Sequence, residues 1–252
     1  MSSGKYQPSS SLDDAEKPFW ISYADLMTAL MILFLVIMVT ALSNISAKTQ
    51  EVMKQSEKVE TVIENQEVRQ SEIESVCDFL AERTAESLRG VYVDCKLNRI
   101  NFGEVGRFKT DEFKLGADGV EALEGMVPLI LEAAETPLGK KWLKQILIEG
   151  FTDTDGSYLY NLNLSLKRSE WVMCTLLQNE HASNVNLTAE QRRQIKKLFL
   201  AGGVAFNNSR ESKGASRRVE LRLQFYGLDS EEGVNRTNEA KFDDIGPERC
   251  MI

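Results

Sequence analysis

Hydrophobic and polar residues fall along this chain in three regimes. From Phe19 to Leu42 the sequence FWISYADLMTALMILFLVIMVTAL carries no Lys, Arg or Glu. With about 1.5 Å of rise per residue, a helix of that length crosses a ~30 Å hydrocarbon core with some tilt. Pro18 suits a first-turn position, and Trp20 and Tyr23 suit the interfacial belt. The apolar run is longer than a signal-peptide core and lacks a basic flank, so it predicts a retained span. From Lys48 to Leu88 the chain turns polar, rich in Glu, Lys and Gln, and free of proline. Val52, Val59, Ile63, Ile73, Cys77 and Leu80 recur at alternating three-four spacing, interrupted by Ser56, Gln66 and Gln70. Such a sparse seam serves either a two-stranded linker helix or a single helix packed on the domain that follows.

From Gly90 the period changes again, to an α+β pattern. Val91–Leu97, Arg99–Val105, Gln145–Phe151 and Arg218–Tyr226 read as strands. Helices are predicted from Ala117 to Glu135, with Val120, Leu123, Val127 and Ile130 inward and Pro128 kinking or dividing it, and from Tyr158 to Gln178, with Leu162, Leu166, Met173 and Leu177 inward. A third starts at Thr188, where Thr-Ala-Glu-Gln is a capping-box pattern, and stops at Gly202-Gly203. The organisation expected is a tail (1–17), a transmembrane helix (18–43), a helical linker (44–90), an α+β domain (91–228) and a C-terminal tail (229–252).

Composition removes several function classes. The net charge of −8 argues against a large basic nucleic-acid surface. The single histidine, His181, disfavours histidine metal sites and leaves no evident nucleophile–base set, so no enzyme, metal or cofactor is expected. Cys77, Cys95, Cys174 and Cys250 show no metal-ligand spacing and all follow the span. In an oxidising compartment they can form two disulfides in any of three connectivities; a Cys77–Cys95 bridge is one option, and Cys174 is read as a small buried hydrophobe.

Asp25, two turns into the span, is the misplaced residue. A carboxylate at the centre of a membrane helix costs roughly 2.5–3.5 kcal/mol on insertion scales, somewhat less nearer an end. Ser22, Asp25 and Ala29 share a stripe with Thr28 beside them, which lets neighbouring helices approach and satisfy polar groups. The alternative, snorkelling to the interface, suits a long side chain better than aspartate. Asp25 is therefore read as an ion-carrying site, with Ser22 and Thr28 as helpers. Lysines lie on both sides of the span, so charge does not set its orientation.

Two stretches resemble one known architecture. PFWISYADLMTALMILFLV resembles the transmembrane helix of MotB-type stator subunits, in which an aspartate in an aromatic-Ala-Asp-x-Met-Thr context binds the transported ion; here that is Asp25. GFTDTDGSYLYNLNLSLKRS, from Gly150 to Ser169, resembles the OmpA-like peptidoglycan-binding signature through Thr152, Asp153, Gly156, Asn161, Leu164, Ser165 and Arg168, with Ser216-Arg217-Arg218-Val219-Glu220 downstream. Phe151, Ser169 and Ser216 depart from residues common in that family. The resemblance implies an OmpA-like periplasmic domain in which Asp153 and Arg168 converge on the zwitterionic diaminopimelate group of a stem peptide, aided by Thr152, Asn161 and a Thr110-Asp111 turn. Arg217 and Arg218 are expected to serve the fold or the domain surface. It further implies an inner-membrane location with a cytoplasmic N-terminus, a dimer inside a ring of a MotA-like multi-span partner, and transport of protons or of sodium ions. Within this architecture the FWISYADLMTALM wording, the acidic tail and the proline-free linker most resemble B subunits of the Zorya antiphage defence system, whose ring partner is of the ZorA type; a flagellar stator subunit and a purely structural tether are the alternatives.

Overall fold

The computed structural model describes residues 13–177 and 187–227 with Cys250 and Ile252, and side chains from Tyr23 onward. The expected tails at 1–12 and 229–249, His181, and the side chains of Pro18, Trp20 and Ser22 lie outside the described residues. Two compact units divide the chain at Glu64/Asn65.

A single helix, α1, runs from Asp13 to Ser87. Nothing between Pro18 and Gly90 breaks it, because that stretch holds neither proline nor glycine. It ends where Leu88 N–H donates to the Thr84 carbonyl and Gly90 takes a left-handed φ of 80°. In the first unit the apolar residues from Leu26 to Val39 are exposed on every face, as a helix built to lie in lipid requires. Among the described residues this is the one helix long and apolar enough to cross a membrane.

The second unit contains the last turns of α1 and an α+β domain: β1 (Tyr92–Asp94), β2 (Arg99–Asn101), α2 (Ala117–Glu135), α3 (Pro137–Trp142), β3 (Leu143–Gly150), α4 (Tyr158–Leu177), α5 (Ala189–Leu198), β4 (Phe199–Gly203), α6 (Lys213–Ser216) and β5 (Val219–Phe225). The five-stranded sheet has the order β1-β2-β5-β3-β4, with β4 parallel to β3 and the other pairs antiparallel. Alternation puts Ile100, Ile146, Ile148, Leu221 and Leu223 into the core with Leu123, Met126, Val127 and Ile130 of α2. The other face buries a charged network at the β3–β5 pair, where Glu149 lies opposite Glu220. Arg99 bridges the two carboxylates, Arg222 Nη2 reaches Glu149 at 2.9 Å, and Arg218 Nε reaches Glu220 at 2.6 Å. Arg218 also lies 4.0 Å over the Phe151 ring, which gives that departure from the family pattern a packing role.

The seam of α1 splits its use. Ile73, Cys77 and Leu80 are buried in the chain's own domain, whereas Val52, Val59 and Ile63 are exposed. Glu72 accepts from Lys141 Nζ and Trp142 Nε1, both at 2.5 Å, and a Cys77–Cys95 disulfide fixes the helix to the β1–β2 turn.

Several expectations need correction. Cys174 is not a free buried hydrophobe: it is bonded to Cys250. α5 ends at Leu198 rather than at Gly202-Gly203, and Phe199–Gly203 is a strand, because parallel pairing with β3 outweighs the glycines' turn preference. On α4 the buried stripe is Asn161, Leu164, Ser165, Arg168, Ser169, Val172 and Leu176, whereas Leu166 is exposed. β1 and β2 are also shorter than predicted, at three residues each.

Replacing Cys77 and Cys95 together with serine frees the loop they close. The variant is expected to lose ~3 kcal/mol of stability, read as a lower urea midpoint for the second unit.

Candidate functional site

The site is built around the first half of α4. Two glycines set the helix's distance from the sheet: a Cβ on Gly150 would lie 2.1 Å from the Ser165 carbonyl oxygen, and one on Gly203 would lie 2.5 Å from Ser165 Oγ. Nothing larger fits where β3 and β4 end, so the α4 backbone rests directly on them. Ser165 Oγ then accepts from Ala205 N–H at 3.1 Å and donates to the Leu162 carbonyl.

One turn earlier, buried Asn161 folds the preceding loop by donating from Nδ2 to the carbonyls of Asp155 (2.7 Å) and Ser157 (3.2 Å). Gly156 supplies the left-handed residue this loop needs, at φ 90°. Two turns beyond Asn161, on the same stripe, comes Arg168, fully buried. Its Nε donates to Glu112 O at 3.0 Å, Nη1 to Phe151 O at 2.6 Å and Nη2 to Lys109 O at 3.3 Å. The guanidinium also lies 4.7 Å from the Phe108 ring centroid. Burial pushes its pKa down to about 10, so it stays charged at neutral pH.

Asp153 is buried beside it, but its direct partner is Arg217. Asp153 Oδ2 accepts from Arg217 Nη1 at 2.7 Å and Oδ1 from Asp155 N–H at 3.1 Å. Burial raises the carboxyl, but the Arg217 hydrogen bond and charge, with the Asp155 amide and Lys213, outweigh it and hold Asp153 below the usual carboxylate range. Asp153 and Arg168 are close enough to act on each other electrostatically. Arg217, read from sequence as serving the fold or the surface, thus sits inside the site. Strand parity was the available signal: counting back from Val219, Arg217 falls on the helix-facing side.

Thr110 and Asp111 are exposed in the loop whose carbonyls Arg168 holds. Asp111 adopts φ 58°, and its carboxylate accepts from Tyr160 Oη at 2.9 Å. Thr152 Oγ1 is buried without a hydrogen-bond partner. Both signs of charge meet here within two loops and one helix, an arrangement that suits a zwitterionic ligand. Among the described residues no cluster of His, Cys, Asp and Glu could hold a metal.

Asp25 belongs to the first unit and is exposed on α1. The Thr28 hydroxyl donates to the Asp25 main-chain carbonyl at 2.8 Å.

A carboxyl held below its unfolded pKa stabilises the fold above that pKa and loses the contribution as pH falls through the folded value. Asp153→Asn is therefore expected to cost about 1.5–3 kcal/mol at neutral pH. The gap to the unaltered chain should narrow as pH falls below the ordinary aspartate range and Asp153 takes up its proton, as read from urea midpoints at neutral and acidic pH.

Residues 5–57 match the family described as membrane MotB of the proton-channel complex MotA/MotB. Zorya protein ZorB of Escherichia coli O139:H28 (strain E24377A / ETEC) is 54% identical over 241 residues, 95% of this chain and 93% of that protein. Among solved structures, the periplasmic domain of Helicobacter pylori MotB aligns with 52% of this chain and 75% of its own at 16% identity and a TM-score of 0.36. The cell wall anchor of the T6SS from Pseudomonas aeruginosa aligns with 58% of this chain and 97% of its own at 19% identity and a TM-score of 0.37. With more than half of its residues shared across nearly its whole length, the chain belongs to the family of Zorya protein ZorB.

Proposed function

We propose that this chain is the ion-carrying and wall-anchored subunit of a rotary stator in Zorya antiphage defence. The observation that carries the reading is Asp25, one carboxylate in an otherwise uncharged apolar run, on the same chain as a preformed site of paired opposite charges. Two copies sit with their spans inside a ring of a multi-span, ZorA-type partner, N-termini in the cytoplasm and OmpA-like domains in the periplasm. Asp25 takes up a proton from one side and releases it to the other. Alternation of Asp25 between access to one side and access to the other moves the ion. Membrane potential supplies roughly 2.3 kcal/mol per charge per 100 mV.

The wall site does a separate job. Asp153 takes the ammonium of a stem peptide's zwitterionic group, and the positive charge of Arg168, buried behind the 109–112 loop, favours its carboxylate, with Thr152 and Asn161 shaping the place. Peptidoglycan then holds the domain still while the ring turns.

Two expected outcomes follow. Asp25→Asn keeps the shape of the side chain and removes its titration, so it should insert normally and abolish phage resistance. Resistance surviving in both Asp25→Asn and Asp25→Leu would leave a tether without transport. Full-length protein in detergent should pellet with isolated peptidoglycan, and Asp153→Asn should weaken that at least about tenfold, the worth of one charge-assisted hydrogen bond. Unchanged pelleting would remove Asp153 from the wall site.

A further inference from the structure

The head of α4 exposes more aromatic surface than the fold uses. Tyr158, Leu159 and Tyr160 are consecutive and 45%, 73% and 48% exposed. Three large apolar side chains in a row on the outside of a helix's first turn contribute nothing to the core, which α4 meets through a different stripe. Tyr158 makes an edge-to-face pair with Phe206, ring centroids 5.6 Å apart and planes at 82°. In that geometry the ring offering its edge keeps both faces free of its partner. Phe206 sits in the turn after β4, held by hydrogen bonds from Asn207 N–H to Val204 O and from Ser209 N–H to Phe206 O.

The pair adjoins the charged site. The residue before Phe206, Ala205, accepts from the Thr152 amide at 2.9 Å, and Thr152 precedes Asp153. On the other flank Tyr160 is tied through its hydroxyl to Asp111 of the 109–112 loop. Both ends of the aromatic patch are thus tied by hydrogen bonds to segments that carry the charged site.

We infer that Tyr158 and Phe206 form a saccharide subsite, which stacks on the apolar C–H face of a glycan ring while the charged site holds the peptide attached to it. This rests on the wall-binding reading above. The occupant is chosen by chemistry. A sugar ring presents a flat C–H face to an aromatic ring and hydroxyls to water, which a half-exposed tyrosine accommodates without being withdrawn from solvent. A ligand with a charged peptide and a covalently joined sugar matches a charged pocket continuous with an aromatic platform.

The test uses the full chain in detergent and two ligands, a diaminopimelate-containing stem tetrapeptide and the same peptide carrying its N-acetylglucosamine–N-acetylmuramic acid disaccharide. The unaltered chain should bind the disaccharide-peptide about tenfold more tightly, the worth of one aromatic stacking contact. Tyr158→Ala should remove that advantage while leaving affinity for the bare peptide unchanged, and Tyr158→Trp should keep it. Equal affinities in the unaltered chain, or an undiminished sugar advantage in Tyr158→Ala, overturns the subsite alone. Binding of neither ligand by the unaltered chain overturns the wall-binding reading and the subsite with it.

Discussion

The domain depends on one buried cation. Removing the Arg168 guanidinium from water is expensive, and the structure offsets that cost with three backbone carbonyls and the face of Phe108. Those carbonyls come from Lys109, Glu112 and Phe151, so a single side chain on α4 ties down the loop after Phe108 and the end of β3. Asp153 and Arg217 then pair against a frame that is already fixed. Only glycine at 150 and 203 lets α4 lie close enough for this. Chain geometry, buried charge and the candidate wall site are consequences of one packing arrangement.

The elements legible in the sequence are those specified locally. α1 follows from an unbroken helix-forming run, α2 from its apolar period, and α5 from its capping box, which forms at Thr188 and Gln191 as the residues foretell. What was not legible depends on partners far along the chain. Counting apolar residues on α4 selects Leu162, Leu166, Met173 and Leu177, yet the stripe that is buried is partly polar. Ser165 meets Ala205 and Arg168 meets Lys109 and Glu112, which the helix's own period cannot reveal. β4 fails for the same reason: a five-residue strand ending in two glycines resembles a helix stop until β3 is placed beside it. Cys174 and Arg217 acquire their roles from Cys250 and Asp153 at long separation.

The two ends of the proposed mechanism lie on different units and obey different physics. At Asp153 and Arg168 the protein surrounds charge with compensating groups, and the charges persist across the physiological pH range. At Asp25 the Thr28 hydroxyl goes to the main-chain carbonyl. A carboxylate in hydrocarbon needs compensation, whether from a ring of partner helices or from a proton. In the proposed mechanism the two alternate, which is what carrying an ion requires.

The most direct test reconstitutes the full chain with the proposed ZorA-type partner in proteoliposomes, applies about 100 mV across them, and follows internal pH with a trapped dye. The account predicts a proton flux in the unaltered complex that falls to the level of the partner alone when Asp25 is replaced by Asn. Equal flux in the two complexes would contradict it.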